Sequence, residues 1–143
     1  LNNPAGHLDP GESLQQAVER EVLEETARAF VPDALVGVYL ARFQRPPSGA
    51  RIGESPNDEG DVEDVTYLRF AFRGSVADPQ PGRALDEGIV RTVWMTPEEV
   101  RASVERHRSP LVLRCIEDHL AGRRFPLEML QAHPSLYAPW IPG

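Results

Sequence analysis

The sequence has one cysteine, Cys115, so no internal disulfide is possible and no oxidising compartment is demanded. It has no excess of basic residues. Lys and Arg total 15 against 22 Asp and Glu, for a formal net charge of −7. That balance excludes a nucleic-acid polymer held on a broad basic face. It does not exclude a small anionic substrate, because a bound metal inverts the charge of a site locally. There is no run of about 18 or more apolar residues and no signal-peptide pattern, so no membrane span is expected. A cytoplasmic protein, monomeric or homodimeric, is the expectation. No internal repeat is visible, and no linker separates two cores.

What is present suits one domain with one core: 143 residues, 41% hydrophobic and 26% charged. A helix is expected from about Leu14 to about Ala27, with Ser13 as N-cap and Gln16 completing a capping box. A short turn, FVPDA (30–34), follows it. Residues 35–43 alternate as a strand, with Val36, Val38 and Leu40 on one side. Residues 44–64 are polar and rich in Pro and Gly, and read as a long mobile loop. A second strand is expected over 65–76, carrying Leu68, Phe70 and Phe72 on one face. A loop follows over 77–88, then a third strand over 89–95. Thr96, Pro97 and Glu99 start a second helix. Ser109-Pro110 starts a third in the same way, with Gly122 as its stop. The tail, 123–143, has no clear period. Strands and helices mix without strict β-α-β alternation, which suggests an α/β or α+β domain with helices covering a mixed sheet.

The first helix is unusual. At roughly 100° per residue, Leu14, Ala17, Val18 and Val22 share one stripe. Glu21 and Glu25 fall on that same stripe nearer its C-terminal end, and Glu24 flanks it. Glutamates there oppose the helix dipole at about 0.3–1 kcal/mol each. Glu21 and Glu25 repel at i,i+4 by roughly 0.2–0.5 kcal/mol. Arg20 alone cannot neutralise three glutamates, whereas a divalent cation can. Oxygen-only ligands on a rigid element suit Mg²⁺ or Mn²⁺. The plain alternative is a solvated acidic face laced with salt bridges.

The flanking residues bear on that choice. Gly6, five residues, Glu12, seven residues, then Arg20-Glu21-Val22-Leu23-Glu24-Glu25 resembles the Nudix box, G-x5-E-x7-R-E-U-x-E-E-x-G-U, where U is aliphatic. Two late positions depart: Ala27 stands for Gly, and Arg28 for an aliphatic residue. Ala27 suggests a helix that runs on or a different exit. The departures spare every carboxylate, so the metal site is expected to survive them.

The resemblance implies a Nudix-type α/β/α sandwich over residues 1–143 and hydrolysis of a diphosphate linked to another group. It also implies sheet strands ahead of the box glycine. Gly6 is the sixth residue here, so those N-terminal strands are expected to be missing and the start shortened relative to the family. By the same resemblance, Glu21 and Glu25 ligate divalent metal, and Glu24 is a further ligand or the base. The carbonyl near Gly6 joins the ligand set. Arg20 holds a box glutamate, and Glu12 braces the loop or ligates through water. Asp86 and Glu87 are candidate bases outside the box, against a reading as a polar turn. His7, inside the box loop, is expected to be structural. The stretch after VWMTPEEV, SPLVLRCIEDHLAGRRFPLEML, looks like the end of a bacterial Nudix phosphatase that acts on hydroxymethylpyrimidine diphosphate, a thiamin precursor, and on nucleoside di- and triphosphates. A Nudix-fold binding protein without turnover is the second reading, and loss of a box carboxylate would have favoured it.

Other residues are expected to be structural. Trp94 should face the core or, alternatively, a pocket, Cys115 should be a buried thiol, and Arg123-Arg124 should complement a helix end or, alternatively, bind a phosphate. Phe125, Met129, Tyr137 and Trp140 should pack across the domain or a subunit interface.

Overall fold

The computed structural model describes residues 1–45, 63–139 and 141. Helix α1 spans Leu14–Thr26. The Ser13 hydroxyl accepts from the Gln16 N–H, and the Gln16 side chain accepts from the Ser13 N–H, so the expected capping box forms. Strands β1 (Phe30–Arg45) and β2 (Glu63–Val76) pair antiparallel, and among the described residues they make up the whole sheet.

Both strands are longer than the residue pattern suggested. The FVPDA segment, expected as a turn, belongs to β1. A two-stranded pair leaves one edge of each strand open, so Pro32 with its missing N–H need not interrupt the ladder. Close approach explains Gly74 in β2, where a β-carbon would fall 2.1 Å from the Val31 carbonyl oxygen. The strand ends take in the flanks of the loop expected over 44–64. Its remainder, 46–62, lies outside the described residues, as does Trp140.

The chain divides into two compact units. The first comprises Leu1–Gly37 and Phe70–Gly143. Its core draws Ala17, Val22 and Ala27 from α1 and its exit, and Ala34, Leu35 and Val36 from β1. Val100, Val112 and Cys115 complete it, and Leu35 is 1% exposed. Three consecutive buried strand residues mean that both faces of β1 are covered there. Leu35 also exchanges backbone hydrogen bonds with Phe125, at 3.0 and 2.9 Å, which ties the tail to β1. The second unit is Val38–Arg69. There Arg42 pairs with Asp64, and Phe43 meets Tyr67 edge to face at 5.7 Å. Val38, Leu40 and Leu68 are exposed, so the expected apolar face is buried only at Val36.

Helix α2 (Pro97–Arg101) has the expected Thr96/Glu99 capping box. Helix α3 (Leu111–Leu120) begins differently from expectation: Pro110 is already helical at φ −58° and ψ −22°, and Ser109 contributes no side-chain cap. A bidentate ion pair from Arg101 to Glu117, at 2.6 and 3.0 Å, joins α2 to α3. Gly122 ends α3 at φ +82°, the left-handed stop expected of it. Arg124 donates to the His119 carbonyl and Arg123 pairs with Asp118, so both arginines complement the helix end. Cys115 is buried, as expected.

The third strand does not form. Residues 89–95 form no strand, and Val90 is 93% exposed. A strand needs a hydrogen-bonding neighbour, and no described segment supplies one. Trp94, expected in the core, is 78% exposed, with the Arg28 guanidinium 5.7 Å from its ring centre. Phe125, Met129 and Tyr137 are likewise exposed rather than packed across the domain. The tail contains two short 3₁₀ turns, Leu127–Met129 and Pro134–Tyr137. No described helix is long and apolar enough to cross a membrane.

Candidate active site

Arg20 is the hub of the site. Its Nε and Nη2 grip Glu12 at 3.0 and 2.7 Å, a fork-on-carboxylate pair. Its Nη1 donates to Glu21 at 2.8 Å and to Glu24 at 3.1 Å. Nη2 also reaches the His7 carbonyl at 3.0 Å, and Asp9 lies 3.4 Å away. One guanidinium therefore binds both the loop before α1 and the acidic stripe on it. The sequence logic is local. Glu12 sits just ahead of the Ser13 cap, and Arg20, Glu21 and Glu24 project from the adjoining turns of α1. Glu12 in turn accepts the Asp9 N–H at 2.8 Å and braces the loop. Arg20 holds the Glu12 carboxyl below its ordinary pKa, and the Arg20 pKa is raised in return, chiefly by Glu12.

Glu25 is different. It forms no ion pair as close as those of Arg20 among the described residues, feels Arg108 only at longer range, and accepts the Ala5 N–H at 3.0 Å. Burial pushes its pKa up, the Ala5 N–H pulls it down, and the negative charges of Glu21 and Asp86 raise it further. Gly6 closes the loop onto Glu21. A β-carbon there would fall 1.8 Å from the carboxyl carbon, so the backbone lies directly against the carboxylate.

The helix exit departs from expectation in an instructive way. The helix does not run on. Ala27 adopts φ +57° and ψ +20°, the left-handed conformation that a glycine would take freely, and it is the one non-glycine with positive φ among the described residues. Its carbonyl accepts the Gln80 N–H at 2.8 Å, and the Glu24 carbonyl accepts the Asp86 N–H at 2.9 Å. Two backbone bonds thus fasten the 77–88 loop to the last turn of α1. Between them lies a shallow concavity of about 220 Å³ lined by Glu24, Arg83, Ala84, Leu85 and Asp86.

Of the candidate residues, Glu12, Arg20, Glu21 and Glu24 come together, with Glu25 and Gly6 beside them. His7 enters through its carbonyl. Asp86, and not Glu87, lines the concavity with Glu24, while the Glu87 N–H bonds the Asp86 carboxylate at 2.9 Å. Asp9, Ala5 and Gln80 are contacts that residue reasoning did not find. Asp9 carried a usable signal, an acid three positions before Glu12. The other two act through backbone atoms and left none.

No described group of three acidic, His or Cys side chains is already drawn together around a cation position. The donor chemistry nevertheless fits a hard divalent ion. Glu21 Oε2, Glu24 Oε1 and Glu25 Oε1 accept no hydrogen bond among the described residues. The Glu21 side chain is only 15% exposed. Partly buried like charges with spare oxygen lone pairs are what such a cation relieves. A solvated acidic face would leave Glu21 exposed and unpaired, and it is neither.

Comparison with known proteins shows the family. A family model described as the NUDIX domain matches residues 1–115. Phosphatase NudJ of Escherichia coli K12 is 30% identical over 131 residues, covering 90% of this chain and 72% of its own. The same protein in Shigella flexneri matches equally, at 30% identity. A solved structure of a NUDIX hydrolase from Nitrosomonas europaea is 46% identical, covers 92% of this chain and 78% of its own, and superposes with a TM-score of 0.73.

Proposed function

The chain belongs to the NUDIX hydrolase family and is a hydrolase of that family, and from this premise we propose the reaction and the roles of its residues. The substrate is a small organic pyrophosphate, of the nucleoside di- or triphosphate or hydroxymethylpyrimidine diphosphate type. Water attacks phosphorus, with Mg²⁺ or Mn²⁺ as cofactor, and the enzyme works in the cytoplasm as a monomer or homodimer. The observation that carries this reading is the gathering of Glu12, Glu21 and Glu24 around Arg20, with Glu25 half-buried beside them.

Glu21 and Glu25 hold the metal, with Glu24 or the carbonyl near Gly6 completing the set. A bound divalent ion supplies charge neutralisation at the phosphate oxygens and acidifies a water. Arg20 orients Glu21 and Glu24 and leaves one oxygen of each free. Glu12 fixes Arg20, and the His7 carbonyl fixes it from the loop side. Glu24 takes the proton of the attacking water. Asp86, with Glu87 next to it, is the alternative base outside the box, because Asp86 shares the concavity with Glu24.

The test is phosphate release from a panel of nucleotides and hydroxymethylpyrimidine diphosphate, with Mg²⁺, with Mn²⁺ and with chelator. Metal-dependent release from at least one compound is expected. Glu25→Gln should lower it by about 100-fold or more, in line with loss of metal affinity. Release that persists in chelator would sink the metal-dependent mechanism.

A further inference from the structure

The acidic site poses a charge problem for a diphosphate. Glu12, Glu21 and Glu24 gather around Arg20, Glu25 feels the negative charges of Glu21 and Asp86, and Glu24 and Asp86 line one concavity. The sequence contains no lysine, so every side-chain cation of the histidine-free kind is an arginine. Arg20 is committed: Glu12, Glu21 and Glu24 occupy its donors. The metal offsets part of the substrate's charge, and a second arginine near the box would add a direct grip on a phosphate.

Arg83 stands at that place. Gln80 and Asp86 are bonded through their N–H groups to the carbonyls of Ala27 and Glu24, at 2.8 and 2.9 Å. Between these anchors the chain turns, with Gly82 at φ +74° and the Arg83 N–H on the Gln80 carbonyl at 3.3 Å. The turn carries Arg83 to the wall of the 220 Å³ concavity that Glu24 and Asp86 also line. Its guanidinium makes one long contact, 3.4 Å, to the neutral Gln80 side chain. No described carboxylate forms an ion pair with it. An arginine that borders an acidic site without pairing to it keeps its planar donor fork available for an oxyanion.

We propose that Arg83 grips a phosphate of the substrate at the mouth of the Glu24–Asp86 concavity and so selects for the pyrophosphoryl group. The proposal rests on the substrate class given above. The left-handed exit at Ala27 then has a purpose beyond ending the helix: its carbonyl anchors the turn that presents Arg83.

Calorimetric titration of the full-length protein with inorganic pyrophosphate in Mg²⁺ tests this without relying on turnover. Arg83→Gln should weaken binding about tenfold, and Arg83→Lys should retain part of the affinity. Arg91→Gln, an exposed arginine that does not line the concavity, should bind like the wild type. The Arg83→Gln protein should also show a shallower dependence on salt. Affinity within about twofold of wild type in Arg83→Gln, an equal loss in Arg91→Gln, or no binding by the wild type would each overturn the proposal. In steady-state kinetics, Arg83→Gln should raise KM with kcat unchanged. If the wild type binds pyrophosphate but turns over no compound of the panel, the hydrolysis reading fails while the titration still decides Arg83.

Discussion

Gly6 lies against Glu21 so closely that a β-carbon on it would sit 1.8 Å from the carboxyl carbon and 1.8 Å from Oε1. Its φ is not in the left-handed region, so the requirement here is space and not backbone freedom. The same Glu21 Oε1 receives Arg20 Nη1 at 2.8 Å. Gly6→Ala should therefore swing the Glu21 side chain away, break that bond and cost about 1–3 kcal/mol of stability. Thermal melts with and without Mg²⁺ check both halves. The melting temperature should fall, and the Mg²⁺-induced rise should shrink. An undiminished Mg²⁺ effect would remove Glu21 from the ligand set.

Arg20 holds three carboxylates, so its loss leaves several negative charges facing one another. Arg20→Met should destabilise the metal-free protein by about 2–3 kcal/mol, the scale of charge-assisted bonds left unmade. Because a cation can replace part of that lost charge, added Mg²⁺ should recover more stability in the variant than it adds to the wild type. Urea titrations with and without Mg²⁺ measure the two differences. Equal Mg²⁺ increments would mean that Arg20 and metal do not compete for the same carboxylates.

What could be read from the residues, and what could not, follows from the range of the forces involved. The Ser13/Gln16 and Thr96/Glu99 boxes are contacts three residues apart, and both formed as expected. Glu21, Glu24 and Glu25 shared a region of α1 for the same reason. The third strand was a matter of partners. Residues 89–95 have β-forming side chains, but a ladder depends on a neighbour that no local pattern specifies. Trp94 was misplaced with it, and it meets Arg28 instead of the core. The anchoring of the 77–88 loop was invisible because it runs through backbone atoms, Gln80 to Ala27 and Asp86 to Glu24. Substitution of Ala for Gly at position 27 pointed to an altered exit, yet the backbone takes the glycine-like conformation regardless.

That conformation can be tested on its own. A non-glycine residue in the left-handed region costs about 1–2 kcal/mol. Replacing it by glycine also enlarges the unfolded ensemble, which takes back roughly 0.4–1 kcal/mol. Ala27→Gly should leave a net gain of about 0.5 kcal/mol, seen as a higher urea midpoint at unchanged slope. Ala27→Val should do the opposite by more, because a β-branched side chain tolerates positive φ poorly. If Ala27→Gly lowers the midpoint, burial of the Ala27 methyl outweighs the strain.

Glu25 makes a prediction about pH. Its folded pKa is raised, by burial first and by Glu21 and Asp86 in addition, against the Ala5 N–H and Arg108. The folded state therefore holds the proton more tightly than the unfolded state. Over the interval between the unfolded and folded pKa values the native protein binds more protons, so the stability that Glu25 contributes falls as pH rises. It is largest below the unfolded value, 4.5, and is lost as pH climbs through the folded one. Glu12 has the opposite sign: its lowered pKa means stability that is present above the unfolded value and lost in acid. Glu25→Gln removes the first effect and leaves the second. In chelator, the variant should be more stable than the wild type at neutral pH, and the difference should vanish on the acid side of 4.5. In saturating Mg²⁺ the order should reverse at neutral pH, because the ion stabilises only the protein that binds it. Denaturant midpoints across pH for both proteins, with and without Mg²⁺, give the comparison. A wild type that remains the more stable in chelator at neutral pH would show that the Glu25 carboxylate is not strained in the empty site.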